Sequence, residues 1–450
     1  MKLPHTLTSV AQGELKAQLE AIEPGAGGMF FDWLGRARSS LDLGVKAFIE
    51  RDSTSALDFL NPGLVLPLAL KVNALDLLLS QHRQMSGYFK SEKLRSLFSF
   101  QELYVGLSPY NAPGVFSLLA ATELTDGVWY PKGGFGTVRD ALQSIGQKLG
   151  VKLRTSTAVT QLITQEDAPP ASVDGDTAAA PKRRVVGVRL DSGEVLPADV
   201  VVANPDLPWV FQHLLSESGP AYEAEAKRVD AMDYSASVIA YNFAMKKPLR
   251  KLLHHNVFLS SDYKGSWERP TCPQDLAAPR QLNFYVHNPC VTDPSSAPEG
   301  SASVMVLLPV ANLQEQQAAA TAAGRPMPDV DAMIAAGRDA IFRRWIADGV
   351  ADADVATNVE HEFVITPQEW GTRYNITHGA VFGLAHGLTQ LACFRPPTRT
   401  GLPGWPETPS TQGLYFVGAS TRPGNGVPLV MMGVKVVFEN IMREARRVAV

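Results

Sequence analysis

The run GLYFVGASTRPGNGVPLVMMGVK, Gly413 to Lys435, is the most informative part of this chain. Leu414, Tyr415, Phe416 and Val417 make a short apolar run of the kind a buried parallel strand shows, and Gly418 ends it. Ala419, Ser420 and Thr421 follow, then Pro423, Gly424, Gly426 and Pro428, and Val430 to Glu439 has the residue types of a helix. Glycines between strand and helix let backbone approach a ligand, and free N–H groups at a helix start can meet an anion or a polarised carbonyl. The same strand, turn and helix can also serve packing alone, because a short glycine motif carries little information by itself.

Away from that run, apolar residues at spacings of three and four predict helices at Gln12 to Ile22, Met29 to Phe48, Val65 to Leu79 and Ser91 to Phe98. The cluster Pro24-Gly25-Ala26-Gly27-Gly28 follows a helix instead of a strand, so it reads as a helix-breaking loop, with a pyrophosphate cradle as the distant alternative. Trp129-Tyr130-Pro131 leads into Gly133-Gly134-Phe135-Gly136, which predicts a strand-turn-helix corner. Val151 to Thr164 reads as a strand, and Glu166 to Lys182, rich in Ala, Pro and Asp, as a disordered surface loop. Arg184 to Leu190 and Val195 to Asn204 flank Asp191-Ser192-Gly193, a hairpin signal, with ADVVVA (198–203) as a buried strand. SVIAYNFAM, NVFLS, LNFYVHNP and ASVMVLLPV predict a mostly antiparallel sheet, suited to the floor of a substrate cavity. Beyond it come a loose insertion at Glu315 to Pro328, a helix at Asp331 to Ile346 and a strand at Val359 to Ile365.

With 450 residues the chain can bury a large core in two subdomains. Lys plus Arg is 41 against 45 Asp plus Glu, a net charge of -4, which offers no basic excess for nucleic acid. Three widely spaced cysteines, Cys272, Cys290 and Cys393, argue against a disulfide framework and for a reducing, intracellular setting. The N-terminus lacks the apolar core of a secretory signal. Pro62 to Ser80 is interrupted by Pro67, Lys71, Asn73 and Asp76 and reads as an amphipathic helix, not a membrane span.

LYFVGASTRPGNGVP closely resembles the C-terminal flavin-contacting signature of the carotenoid desaturases of the phytoene desaturase type. The resemblance extends back to about Phe98, through GVWYPKGG (127–134), Asn375 to Leu384 and Phe394-Arg395-Pro396. It implies an α/β, glutathione-reductase-like FAD-binding fold with a mixed α+β substrate domain. It also implies FAD contacts at Gly418, Ala419, Ser420, Thr421, Gly424, Gly426, Val427 and Pro428, adenine contact at the backbone of Val159, and substrate contact at Trp129 and Tyr130. Arg422 stands where the family mostly has His or Tyr, and Asn425 where a small residue is common. The strand and Gly-rich turn that open the family's fold are not found, so an N-terminal Rossmann βαβ unit is expected to be missing. The implied organisation is a helical substrate- or membrane-facing region at 1–100, an incomplete FAD-binding domain from 101–165, 184–210 and 395–450, and a substrate domain at 211–394.

The implied reaction is desaturation of a carotenoid precursor such as phytoene. Its alternatives are another isoprenoid or lipid substrate of a related flavin oxidoreductase, or a non-catalytic homologue that binds lipid or a partner. Desaturating a C–C bond needs a hydride acceptor that no side chain provides. Such a lipophilic substrate implies peripheral contact with a membrane surface, for which the helix around Leu64 to Leu79 is a candidate beside its role as a core-facing helix. No catalytic residue stands out. Glu123 and Asp126 read as solvated helix-end carboxylates with general base as the alternative, and His378 with His386 lacks a third metal partner.

Overall fold

In this chain, β-branched runs become strands where a partner lies alongside. The computed structural model describes residues 9–45, 50, 79–166, 183–277, 282–401 and 410–448. Val159–Glu166 (β1) and Arg183–Leu190 (β2) pair antiparallel, and β2 turns through Asp191-Ser192-Gly193 into Val195–Pro197 (β3). Val201–Ala203 (β4) follows after a break at 198–200, so the run read as one strand is two short ones. Next come Ser237–Met245 (β5), His255–Phe258 (β6), Phe284–His287 (β7), Ala302–Val310 (β8) and Val359–Ile365 (β9), an antiparallel sheet in the order β6-β7-β8-β5-β9. Thr411–Gln412 (β10) joins β2, and Leu414–Phe416 (β11) joins β4, both parallel.

The period of two along the large sheet sorts its side chains. Tyr241, Phe243, Val304, Val306 and Leu308 pack under helix Val330–Ala347 against Ile341, Phe342 and Trp345. Val238, Leu307 and Pro309, out of phase by one, face a cavity instead. The predicted sheet is therefore present, with its second face forming a cavity wall.

Helices Ser9–Ile22 and Ala26–Gly44 pack with Ser117–Asp126 around Phe30, Trp33, Phe89 and Phe98, and Trp33 Nε1 donates to Ser117 Oγ at 3.2 Å. The glycine cluster between the first two is a helix break. Gly25 and Gly27 N–H groups donate to the Glu20 carboxylate at 2.7 and 3.0 Å, which takes the donors a phosphate would need. The helix predicted at Val65 to Leu79, with its membrane reading, lies outside the described residues but for its last position. Residues 167–182, read as a loop, lie outside them too.

Three predictions are corrected. Residues 151–158 are not a strand: the ladder with β2 begins only at Val159, Asp191 N donates to Ala158 O at 2.9 Å just before it, and Val151 and Leu153 are exposed. Trp129-Tyr130-Pro131 is likewise irregular, although the helix after it, Phe135–Lys148, forms as expected. The supposed loose insertion is mostly the helix Leu313–Ala322, set by a capping box in which the Asn312 side chain accepts from Glu315 N and Glu315 accepts from Asn312 N.

Several apolar surfaces are uncovered. Helix Phe135–Lys148 buries no residue, and Leu142, Ile145 and Leu149 are open to solvent. Val427, Met431, Val434, Phe438 and Met442 run as an exposed stripe along helix Val427–Val448. Val200, just before β4, and Val202 within it are exposed; β4 pairs on one edge with β11 and has no strand partner on the other among the described residues. No described helix is long and apolar enough to cross a membrane.

Candidate functional site

The parallel pair β4 and β11 aims two loop starts, Asn204 to Asp206 and Gly418 to Thr421, at one place. Asn204 Nδ2 donates to Val417 O at 2.8 Å. Asp206 accepts from Ser420 Oγ and from Thr377 N at 3.1 Å, and burial holds its pKa above the usual carboxylate range. Ser420 Oγ in turn accepts from Leu384 N at 3.2 Å, and Thr421 Oγ1 donates to Gly418 O at 3.0 Å. Both hydroxyls, implied as FAD contacts, are therefore turned into the protein and fix the turn.

Arg395, wholly buried, is the clamp of this region. Its guanidinium donates to the carbonyls of Leu384, Ala385, Gln390, Ala419 and Thr421. Burial pulls its pKa down to about 9, still cationic at neutral pH. Arg422 extends the clamp, donating to Arg395 O at 3.0 Å and Cys393 O at 2.8 Å. The signature's arginine is thus a structural residue that lines the cavity with its remaining surface.

The turn beyond it is bare backbone. Gly424 (φ 143) and Gly426 (φ 93) adopt angles that glycine tolerates, and a Cβ on Gly424 would lie 3.1 Å from His386 Nε2. Asn425 N donates to that Nε2 at 3.3 Å, so the neutral ring carries its proton on Nδ1, a buried atom with no hydrogen-bond partner. Burial, with Arg395 beside it, pushes the His386 pKa well below the usual imidazole value. Neither His386 nor His378, which pairs with Asp230 at 3.2 Å, belongs to a group of three metal-type side chains among the described residues.

This turn opens on a cavity of about 2180 Å³, walled mainly by apolar side chains. Leu118, Leu119, Thr122 and Glu123 form one wall, Val238, Leu307 and Tyr285 of the sheet another, and Gly426, Pro428, Leu429 and Met432 a third. Trp129 reaches the rim and is 83% exposed. Tyr130 does not line the cavity; its ring packs on His254 (4.6 Å) and His287 (5.7 Å). Val159 opens β1 opposite Leu190 and is also not part of the cavity lining.

The reading of Glu123 as solvated is overturned. One oxygen of its carboxyl is buried without a partner, and burial lifts its pKa, while Asp126 remains an exposed partner of Arg38. Sequence spacing missed this because Ala120, Ala121 and Leu124 already mark a buried face of that helix. A second non-solvent face exists only once the sheet closes the cavity.

The turn suits the ring end of a flavin. Bare backbone at Gly424 and Gly426, with apolar Pro428, Leu429 and Met432, offers a flat heteroaromatic ring close contact.

Comparison with known proteins agrees with this geometry. The family model described as flavin containing amine oxidoreductase matches residues 70–428. Phytoene desaturase of Neurospora crassa is 32% identical over 434 residues, 96% of this chain and 67% of that protein. The zeta-carotene-forming phytoene desaturase of Myxococcus xanthus is 32% identical over 94% of this chain and 73% of its own length. The 4,4'-diapophytoene desaturase of Staphylococcus haemolyticus is 30% identical over 97% and 79%. Among solved structures, an oxidoreductase from Methanosarcina mazei shares the fold at TM-score 0.53 and 17% identity, covering 86% of this chain and 73% of that one. The chain thus belongs to the flavin-containing amine oxidoreductase family, among the phytoene desaturases.

Proposed function

We propose that this chain is an FAD-dependent desaturase of carotenoid precursors, which converts phytoene or a partly desaturated carotene into a more unsaturated product. The observation that carries the reading is the large apolar cavity opening directly on the Gly424–Gly426 turn. Bound flavin supplies the two-electron acceptor that side chains lack. The chain's own residues position and shield. Leu118, Leu119 and Leu307 hold a flat polyene without polar competition and keep water from it. Backbone at Gly418, Ala419, Gly424, Gly426, Val427 and Pro428 holds the ring end of FAD, with Ser420 and Thr421 bracing that backbone. Val159 meets the adenine, Trp129 guides substrate at the rim, and Tyr130 supports the rim from outside the cavity.

Two finer points belong to the same reading. Leu388 and Phe394 line the cavity yet are exposed, which supports a mouth that meets a membrane surface, where such substrates reside. The free edge of β4 and the uncovered helix Phe135–Lys148 support a further α/β unit that pairs with β4 and clasps the adenosine diphosphate of FAD.

The test is to add FAD to the purified chain, remove the excess, record the visible spectrum, and supply phytoene in liposomes. Retained flavin and a product with longer-wavelength absorption are expected. A chain that retains flavin but leaves phytoene untouched under these conditions refutes the desaturase reading.

A further inference from the structure

Glu123 lies on the face of helix Ser117–Asp126 that also presents Leu118, Leu119 and Thr122 to the cavity. Its carboxyl is hydrogen-bonded to the side chain of Gln101, and its Oε2 has no partner. The other cavity-lining carboxylates differ. Glu315 is held by Arg269 at 2.6 Å, Asp348 by Arg344 at 2.6 Å, and Glu268 is exposed. Tyr104 and Tyr285 stand close enough to feel the Glu123 charge, and no cation is among the groups that set its acidity.

The segment carrying Gln101 and Tyr104 is tied to the glycine turn, because Asn425 Nδ2 donates to Tyr104 O at 3.1 Å. Carboxyl and turn therefore border the same volume. A C–C single bond becoming a double bond must lose two hydrogens, one with its bonding pair and one as a bare proton. The first needs an electron acceptor and the second a base in the same cavity.

Building on the desaturase reading, we propose that Glu123 is the proton acceptor of the reaction. Bound flavin would supply the acceptor for the hydrogen that leaves carbon with its bonding pair. From the adjacent carbon a proton passes to the Glu123 carboxylate, which lines the cavity, and the pair left in that C–H bond becomes the π bond. The carboxylate becomes a carboxylic acid, and the charges balance. An ionised carboxylate in apolar surroundings is a strong base, and its raised pKa places its change of state closer to neutral pH.

Glu123→Gln keeps shape and the contact to Gln101 while removing the base. Expected are unchanged retention of flavin and phytoene, kcat lower by about 10²–10⁴-fold, and loss of the acid limb that the proposal predicts for the wild-type kcat as pH falls. The neighbouring titratable groups are Tyr104, Tyr285 and His255, whose Nδ1 bonds the Tyr285 hydroxyl. His255→Asn is expected to keep the acid limb, which assigns that limb to the carboxyl.

A second readout needs neither flavin nor turnover. Infrared titration of the chain alone is expected to show a carboxyl band that ionises above the usual Glu range and disappears in Glu123→Gln. An active wild type with an equally active variant of unchanged pH profile overturns the assignment and leaves the desaturase reading standing. A carboxyl that ionises in the ordinary range also overturns it, because Glu123 would then be solvated. A flavin-loaded wild type that is inert overturns both.

Discussion

Arg395 shows how one side chain can organise a site without touching substrate. Its donors satisfy five carbonyls on two segments, 384–390 and 419–421, that no regular structure would hold together. Arg395→Met would leave those acceptors buried and unpaired, at a cost of roughly 3 kcal/mol or more. Urea denaturation is expected to show that loss, together with poorer flavin retention. His287 offers a second test at this scale. Its Nε2 meets His254 Nε2 at 2.9 Å, and burial first, then His254, lowers its pKa to about 4. The unfolded imidazole titrates near 6.5, so the unfolded state binds more protons between about pH 6.5 and 4. Stability is full above that window and falls as pH drops through it. Discounted for the ring's partial exposure, the effect is roughly 1–2 kcal/mol. A melting temperature that drops between pH 7 and 5 in wild type, and less in His287→Gln, is the expected result.

Elements were legible wherever their signals were local. The β5 and β8 runs and the helix Val330–Ala347 were read correctly because hydrophobic period decides them. The helix Leu313–Ala322 was missed although Asn312 and Glu315 spell its cap, since an Ala- and Gln-rich run resembles a loop in composition alone. Asn312→Ala is expected to cost about 1 kcal/mol in thermal unfolding. Helix-on-sheet packing sets a tighter limit at Gly337, where a Cβ would fall 2.2 Å from the Tyr241 hydroxyl, itself bonded to Ile334 O. Gly337→Ala should therefore lower stability by about 1–3 kcal/mol, through overpacking, despite the better helix propensity of Ala. An unchanged melting temperature would show that the helix can move off the sheet.

For the molecule as a whole, the uncovered apolar surfaces matter most. A Phe438 ring that is 60% exposed and a Leu149 that is 79% exposed are poor solvent-facing residues, and each lies in a run of others. Leu142→Glu with Phe438→Glu is expected to change folding stability by no more than about 0.5 kcal/mol, because both side chains are mostly exposed. It should reduce self-association in light scattering. If a further α/β unit completes the flavin site, the same changes should also weaken FAD retention.

By itself the sequence determined the C-terminal strand, glycine turn and helix, the antiparallel sheet, and the family, because these depend on neighbours a few residues apart and on motif order. Tertiary structure alone decided which signature residues face inward. Ser420 and Thr421 look like ligands in a motif, yet their hydroxyls close hydrogen bonds to Asp206, 214 residues away, and to Gly418. Glu123 looked solvated until a sheet folded over it. Burial is a property of distant segments brought together, and no local spacing encodes which of them will arrive.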